Sequence, residues 1–197
     1  MKKILVICGG FFLLASCALT PRDTGRAYMF ALTPAQTARQ AQIGDSLTVA
    51  LPAAAPELDT YRIALIQDDG RWDYYAGARW AEFLPLLIQD SVTKTLEDAK
   101  LFKTVATDQA GNRGEQILNV GIRSFQAEYK RGSKEPVVKI RLMVSLKNRV
   151  EGTPVASFEI KTEAKAAQDR LPDIQAAFAS AFSDAQKQMV YKLRRRS

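Results

Sequence analysis

The chain has 197 residues, with 28 Lys plus Arg, 21 Asp plus Glu and no His; its formal charge is +7 and 47% of it is hydrophobic. That is enough apolar material for one packed domain, and it excludes a disordered, collagenous or coiled-coil chain. The lack of histidine removes the commonest general base, proton shuttle and metal ligand. Cys8 and Cys17 are the two cysteines, both close to the start, so no disulfide framework is expected.

Residues 1–16 read as a signal peptide. Lys2 and Lys3 supply the charged region, Ile4 to Leu14 form an apolar run too short to cross a hydrocarbon core, and Leu14-Ala15-Ser16-Cys17 closes it. The closing segment resembles the bacterial lipobox, in which the cysteine is acylated and becomes the mature N-terminus; an ordinary secretory cleavage site is the other reading. Each buried CH₂ of an acyl chain contributes about 0.8 kcal/mol, so two or three chains on Cys17 would hold the domain at a bilayer. By the lipoprotein sorting rule of Gram-negative bacteria, Ala18 rather than Asp after that cysteine implies the periplasmic face of the outer membrane. Cleavage removes two of the 28 basic residues and no acid, leaving a mildly basic +5.

Residues 17–27 read as the lipidated N-terminus and a polar tether with Pro21 and Gly25, and residues 28–197 as a single domain. Tyr28 to Leu32 predicts a first strand, Thr33 to Ser46 a soluble stretch without sustained period, and Leu47 to Leu51 a second strand closed by Pro52. Tyr61 to Ile66 and Arg71 to Tyr75 flank Asp68-Asp69-Gly70, a hairpin signal. Those aspartates also invite a cation-site reading, but the alternating ligand pattern of a calcium loop is missing.

Trp80, Leu84, Leu87, Ile88, Val92, Leu96 and Ala99 step by three or four, which predicts an amphipathic helix. Pro85 must lie in its first turn, placing the start near Ala81. A strand from Leu101 to Val105 follows. Val138, Ile140, Leu142, Val144 and Leu146 alternate with polar neighbours; Leu118, Val120 and Ile122 before them, and Ala156, Phe158 and Ile160 after them, repeat the pattern. These three segments predict an antiparallel meander. Leu171 to Arg195 predicts a second helix with Ile174, Phe178, Ala181, Phe182, Ala185, Met189 and Leu193 along one stripe. Lys192, Arg194, Arg195 and Arg196 suit its C-terminal dipole and, as a second reading, anionic lipid headgroups.

The chemistry inventory is thin: no His, no Cys left after processing and acylation, no Gly-x-Ser-x-Gly, no phosphate loop and no informative acid pair. No catalytic residue, metal site or cofactor is expected, and a charge of +5 is too diffuse for nucleic acid. Trp72, Tyr74, Tyr75 and Trp80 form the most distinctive aromatic group, serving either core packing or a protein partner.

The run Ala78-Arg79-Trp80-Ala81-Glu82-Phe83-Leu84-Pro85, followed by a helix and Phe102-Lys103-Thr104-Val105, resembles the Arg-Trp-Ala-x-x-x-Pro signature of the ABC-type transport auxiliary lipoproteins, the family of the paraquat-inducible C lipoproteins. The likeness in element order spans the mature chain. It implies an α/β (α+β) fold, a mixed, largely antiparallel sheet with two long helices packed on one face. It also implies an auxiliary role beside an ABC ATPase, a permease and an MCE-domain substrate-binding protein that move phospholipids or other apolar molecules. This chain would dock the MCE component at the outer membrane, with a homo-oligomer possible, through a surface around Tyr74, Tyr75, Arg79 and Trp80. The alternative is a lipoprotein that plugs or assembles an outer-membrane β-barrel; a lipid carrier would need a roomy apolar cavity.

Overall fold

A computed structural model describes residues 27–111 and 113–196, the last without its side chain. The predicted signal peptide, Cys17 and all of the tether except Ala27 lie outside the described residues. The elements run β1 (Tyr28–Phe30), β2 (Gly44–Val49), β3 (Ala53–Ala54), β4 (Arg62–Ile66), β5 (Trp72–Trp80), α1 (Leu84–Ala99), β6 (Phe102–Thr107), β7 (Gln116–Glu128), β8 (Val137–Asn148), β9 (Pro154–Lys165) and α2 (Leu171–Arg196), with one 3-10 turn at Asp108–Ala110.

Alternating burial along β7, β8 and β9 sets the frame. Leu118 faces Leu146, Val120 faces Val144, Ile122 faces Leu142 and Phe125 faces Ile140, and all eight are buried. Ala156, Phe158 and Ile160 extend the same dry face along β9. This is the predicted antiparallel meander, and its two ladders are the longest in the sheet. The opposite face carries Lys139, Arg141, Met143, Lys161 and Glu163 toward solvent, as one-sided antiparallel sheets do.

The far edge of β7 is shared. At one end it pairs in parallel with β2, in the middle with β3 and at the other end with β4, so the single nine-stranded sheet splays into two arms. One arm continues from β4 to antiparallel β5 and then to parallel β1; the other continues from β2 to parallel β6. The result is the expected α+β fold, a mixed sheet with both helices on its dry face.

Several boundaries differ from the sequence reading for identifiable reasons. β1 stops at Phe30, because the Phe30 carbonyl accepts Ala81 N–H and the chain then leaves the sheet. β2 starts three residues earlier than expected, since Gly44 and Ser46 pair with Phe102 and Thr104. Ala53–Ala54, read as loop because of the flanking prolines, pairs briefly with Gly121–Ile122. β5 runs on through Trp80, past an irregularity containing Gly77 at φ 67°, so α1 begins at Leu84 rather than near Ala81. Pro85 then occupies the first helical turn, where its missing N–H costs nothing.

α2 lies antiparallel to β9 and packs along it, reaching one of its main-chain carbonyls. Thr162 Oγ1 donates to the Ala181 carbonyl at 2.8 Å, and Lys192 Nζ donates to the Glu159 carbonyl at 2.7 Å while sitting over the Phe158 ring. A strand edge left bare is a template for pairing with another chain. The buried Gln186 joins the helices, its Nε2 donating to Ser91 Oγ at 2.8 Å and Thr95 Oγ1 at 2.9 Å, and Thr95 Oγ1 also accepts Ala35 N–H.

Gly114 is pressed against the β2 backbone: a Cβ there would lie 2.9 Å from the Leu47 carbonyl carbon, whereas at Gly121 the nearest atom would be 3.7 Å away. Gly114→Ala is therefore expected to lower stability by roughly 1–3 kcal/mol, and Gly121→Ala to be much milder, read from urea-unfolding midpoints.

Candidate partner-binding surface

The four residues expected to meet a partner separate into three environments. Trp80 closes β5 on the dry face and is 0% exposed, packed edge-on against Phe30 (5.8 Å between ring centroids), Phe125 (5.6 Å) and Phe178 (5.1 Å). Phe125 and Phe178 stack on one another at 5.7 Å. The ring therefore ties β1, β5, β7 and α2 together, and it presents nothing to a partner. Each such aromatic pair contributes about 0.5–1.5 kcal/mol beyond area burial.

Tyr75 is half-buried and serves a polar chain. Its hydroxyl lies 3.1 Å from that of Tyr129, which donates to Asp169 Oδ1 at 2.6 Å, linking β5 to the ends of β7 and β9. Burial, reinforced by the bond to Tyr129, raises the Tyr75 phenol well above its ordinary value. Burial and then the bond to Asp169 push Tyr129 up to about 12.

Arg79 is exposed, and Tyr74, like Tyr75, is half-buried against the core. The Tyr74 hydroxyl donates to the Glu57 carbonyl at 3.2 Å, and the Arg62 guanidinium lies 3.7 Å from its ring centroid, an arrangement the sequence did not signal because the pair spans a hairpin irregularity. Arg79 is exposed between its sheet neighbours Met29 and Arg62. Beside it the Tyr61 hydroxyl bonds Glu82, which raises the phenol and, together with the Phe83 N–H, lowers the carboxyl. The accessible part of the predicted surface is thus Met29, Tyr61, Arg62 and Arg79, with Tyr74 half-buried among them.

A depression of about 510 Å³ sits on the wet face of the meander, and its lining includes Glu128, Lys139, Arg141, Lys161 and Glu163. Lys139 pairs with Glu128, and Glu159 pairs with Arg141 and Lys161. Among the described residues no group of three or more His, Cys, Asp or Glu side chains is arranged to hold a metal ion. No helix among them is long and apolar enough to cross a membrane.

The described residues thus define an α+β domain, a one-sided mixed sheet with two helices on its dry face. The family model for the ABC-type transport auxiliary lipoprotein component matches residues 28–190, and the chain belongs to that family. Protein XCC0632 from Xanthomonas campestris shares the fold with a TM-score of 0.75 and 25% identity, over 84% of this chain and 93% of that one. The hypothetical protein CT253 from Chlamydia trachomatis superposes with a TM-score of 0.54 at 6% identity, over 78% of this chain and 98% of its own, a likeness of fold alone. No curated protein matches the sequence. The family is one of auxiliary lipoproteins of ABC transporters, which fits a membrane-anchored protein facing the periplasm.

Trp80→Ala should cost about 3–5 kcal/mol, as large aromatic truncations in cores do, while Arg79→Ala should change stability by no more than about 0.5 kcal/mol. Denaturant unfolding of the two variants distinguishes the roles. The tyrosine chain sets an alkaline limit. Below the ordinary phenol value of 10.0 both tyrosines are protonated in either state; above it the unfolded chain loses protons first, so stability falls as pH rises through about 12. Unfolding midpoints measured from pH 9 upward should decline less steeply in Tyr75→Phe/Tyr129→Phe than in the parent.

Proposed function

We propose that this protein is an outer-membrane-anchored auxiliary lipoprotein that docks the MCE-domain component of an ABC-type envelope transporter, for phospholipids or another apolar substrate. The observation that carries the reading is the family match across residues 28–190, joined to a lipobox-like Leu14-Ala15-Ser16-Cys17 upstream of it. In this reading residues 1–16 are removed, Cys17 is acylated, residues 17–27 form the tether and residues 28–197 the periplasmic domain. Ala18 after the cysteine favours the outer membrane. The chain acts by holding, not by turnover, and the charged, ion-paired lining of the depression on its wet face supports a docking role over lipid carriage. The exposed Arg79, with the half-buried Tyr74 beside it, belongs to the surface available for contact; Tyr75 and Trp80 support it from beneath.

Affinity purification of the lipidated protein from its own envelope tests this directly. Recovery of the MCE protein is expected, whereas recovery of an outer-membrane barrel in its place would favour barrel assembly. Cys17→Ser should abolish acyl incorporation and release the protein from the membrane fraction; an unmodified parent protein by mass spectrometry would refute the anchor.

A further inference from the structure

The strand directions give the domain two unlike poles. β1 runs with β5, against β4 and β7, and therefore with β8; α2, antiparallel to β9, runs the same way. The Phe30 ring lies 6.1 Å from that of Phe178, which places β1 level with the first part of α2. The chain thus enters β1 from the pole where α2 begins. Arg194 lies sixteen residues beyond Phe178, about 24 Å further toward the opposite pole at 1.5 Å per residue. The β8–β9 turn projects there too, β8 ending at Asn148, about 26 Å along the strand from Ile140, the residue paired with Thr162, with Val150 in the turn just beyond.

That remote pole is built as a contact surface. Val150 is 90% exposed, and its turn is held firmly: Asn148 Oδ1 accepts the N–H groups of Val150 and Glu151 at 2.9 and 3.1 Å, Gly152 N–H bonds the Asn148 carbonyl, and Gly152 stands at φ 69°. On α2, Tyr191 is 50% exposed and lies under both Arg194 and Arg195. Arg194 bonds the neutral Gln40 Oε1 and Arg195 the neutral Tyr191 hydroxyl, both at 2.9 Å, and neither meets a carboxylate among the described residues. Arg39 and Lys100 add exposed cations beside them, where Gln40 N–H bonds the Ala99 carbonyl at the end of α1.

The tether decides which partner this pole can meet. From Cys17 to Tyr28 the chain reaches at most about 37 Å. Bringing the remote pole to the anchoring bilayer would require the tether to double back nearly fully extended along the domain, which is entropically unfavourable. We propose that the pole formed by Val150, Tyr191, Arg194 and Arg195 is the docking face for the transporter's MCE component, through an acidic protein surface with an apolar recess for Val150. This rests on the docking role and on Cys17 as the anchor, and it moves the principal contact away from Tyr74 and Arg79.

A photo-crosslinking amino acid placed in the lipidated, full-length protein at Val150 or Tyr191, with Tyr74 and Arg79 for comparison, tests the assignment in cells that also make the MCE protein. Adducts with that protein from Val150 and Tyr191 are expected, and Arg194→Glu/Arg195→Glu should weaken its co-purification about tenfold or more, with Arg194→Gln/Arg195→Gln falling between, at unchanged thermal unfolding. If the parent recovers the MCE protein but adducts form only from Tyr74 or Arg79, or only with lipid, or the charge variants bind as the parent does, this face is wrong and the docking role stands. If the parent recovers no MCE protein, both fall.

Discussion

The edge-to-face packing of Trp80 against Phe30, Phe125 and Phe178 is the interaction on which the rest of the molecule depends. A splayed sheet with several short parallel pairings has little hydrogen bonding to hold one of its arms in place: β1 contributes three residues and β4 meets β7 over two register positions. The aromatic cluster supplies what those pairings lack. It joins the arm to the long central strand and to α2 through contacts that are dry, oriented and remote in sequence. Once it forms, the outer side of β4 and β5 is fixed, and with it the disposition of Arg62, Tyr74 and Arg79.

The meander and both helices were legible because their periodicities are long and unbroken. Val138 to Leu146 alternates strictly, and the Ile174 to Leu193 stripe predicted for α2 is buried throughout. The parallel pairings of β2, β3 and β4 with β7 were not legible, since two or three register positions leave no periodic trace. Ala53–Ala54, set between prolines, carries every local sign of a loop and becomes a strand because β7 offers an unpaired edge beside it. Trp80 misled for a related reason. It stands in phase with the apolar stripe of α1, yet it ends a strand four residues before that helix starts.

The same residues alter how the family signature is understood. Within Arg79-Trp80-Ala81-x-x-x-Pro85, the tryptophan is a core residue, Ala81 N–H binds the Phe30 carbonyl, and the proline opens a helix. Most of the motif therefore specifies a strand-to-helix passage and marks the fold. Of the four named positions of the run only Arg79 is fully exposed, whereas the Val150 turn and Arg194 and Arg195 after Tyr191, which lie outside the signature, are exposed as well.

The bond from Lys192 to the Glu159 carbonyl has a bearing on how the protein is made. α2 follows β9 in the chain, so a polypeptide threaded out from its N-terminus delivers the whole meander before the segment that shields its flank. For that interval the flank of β9 is open, and pairing there with another chain competes with the docking of α2.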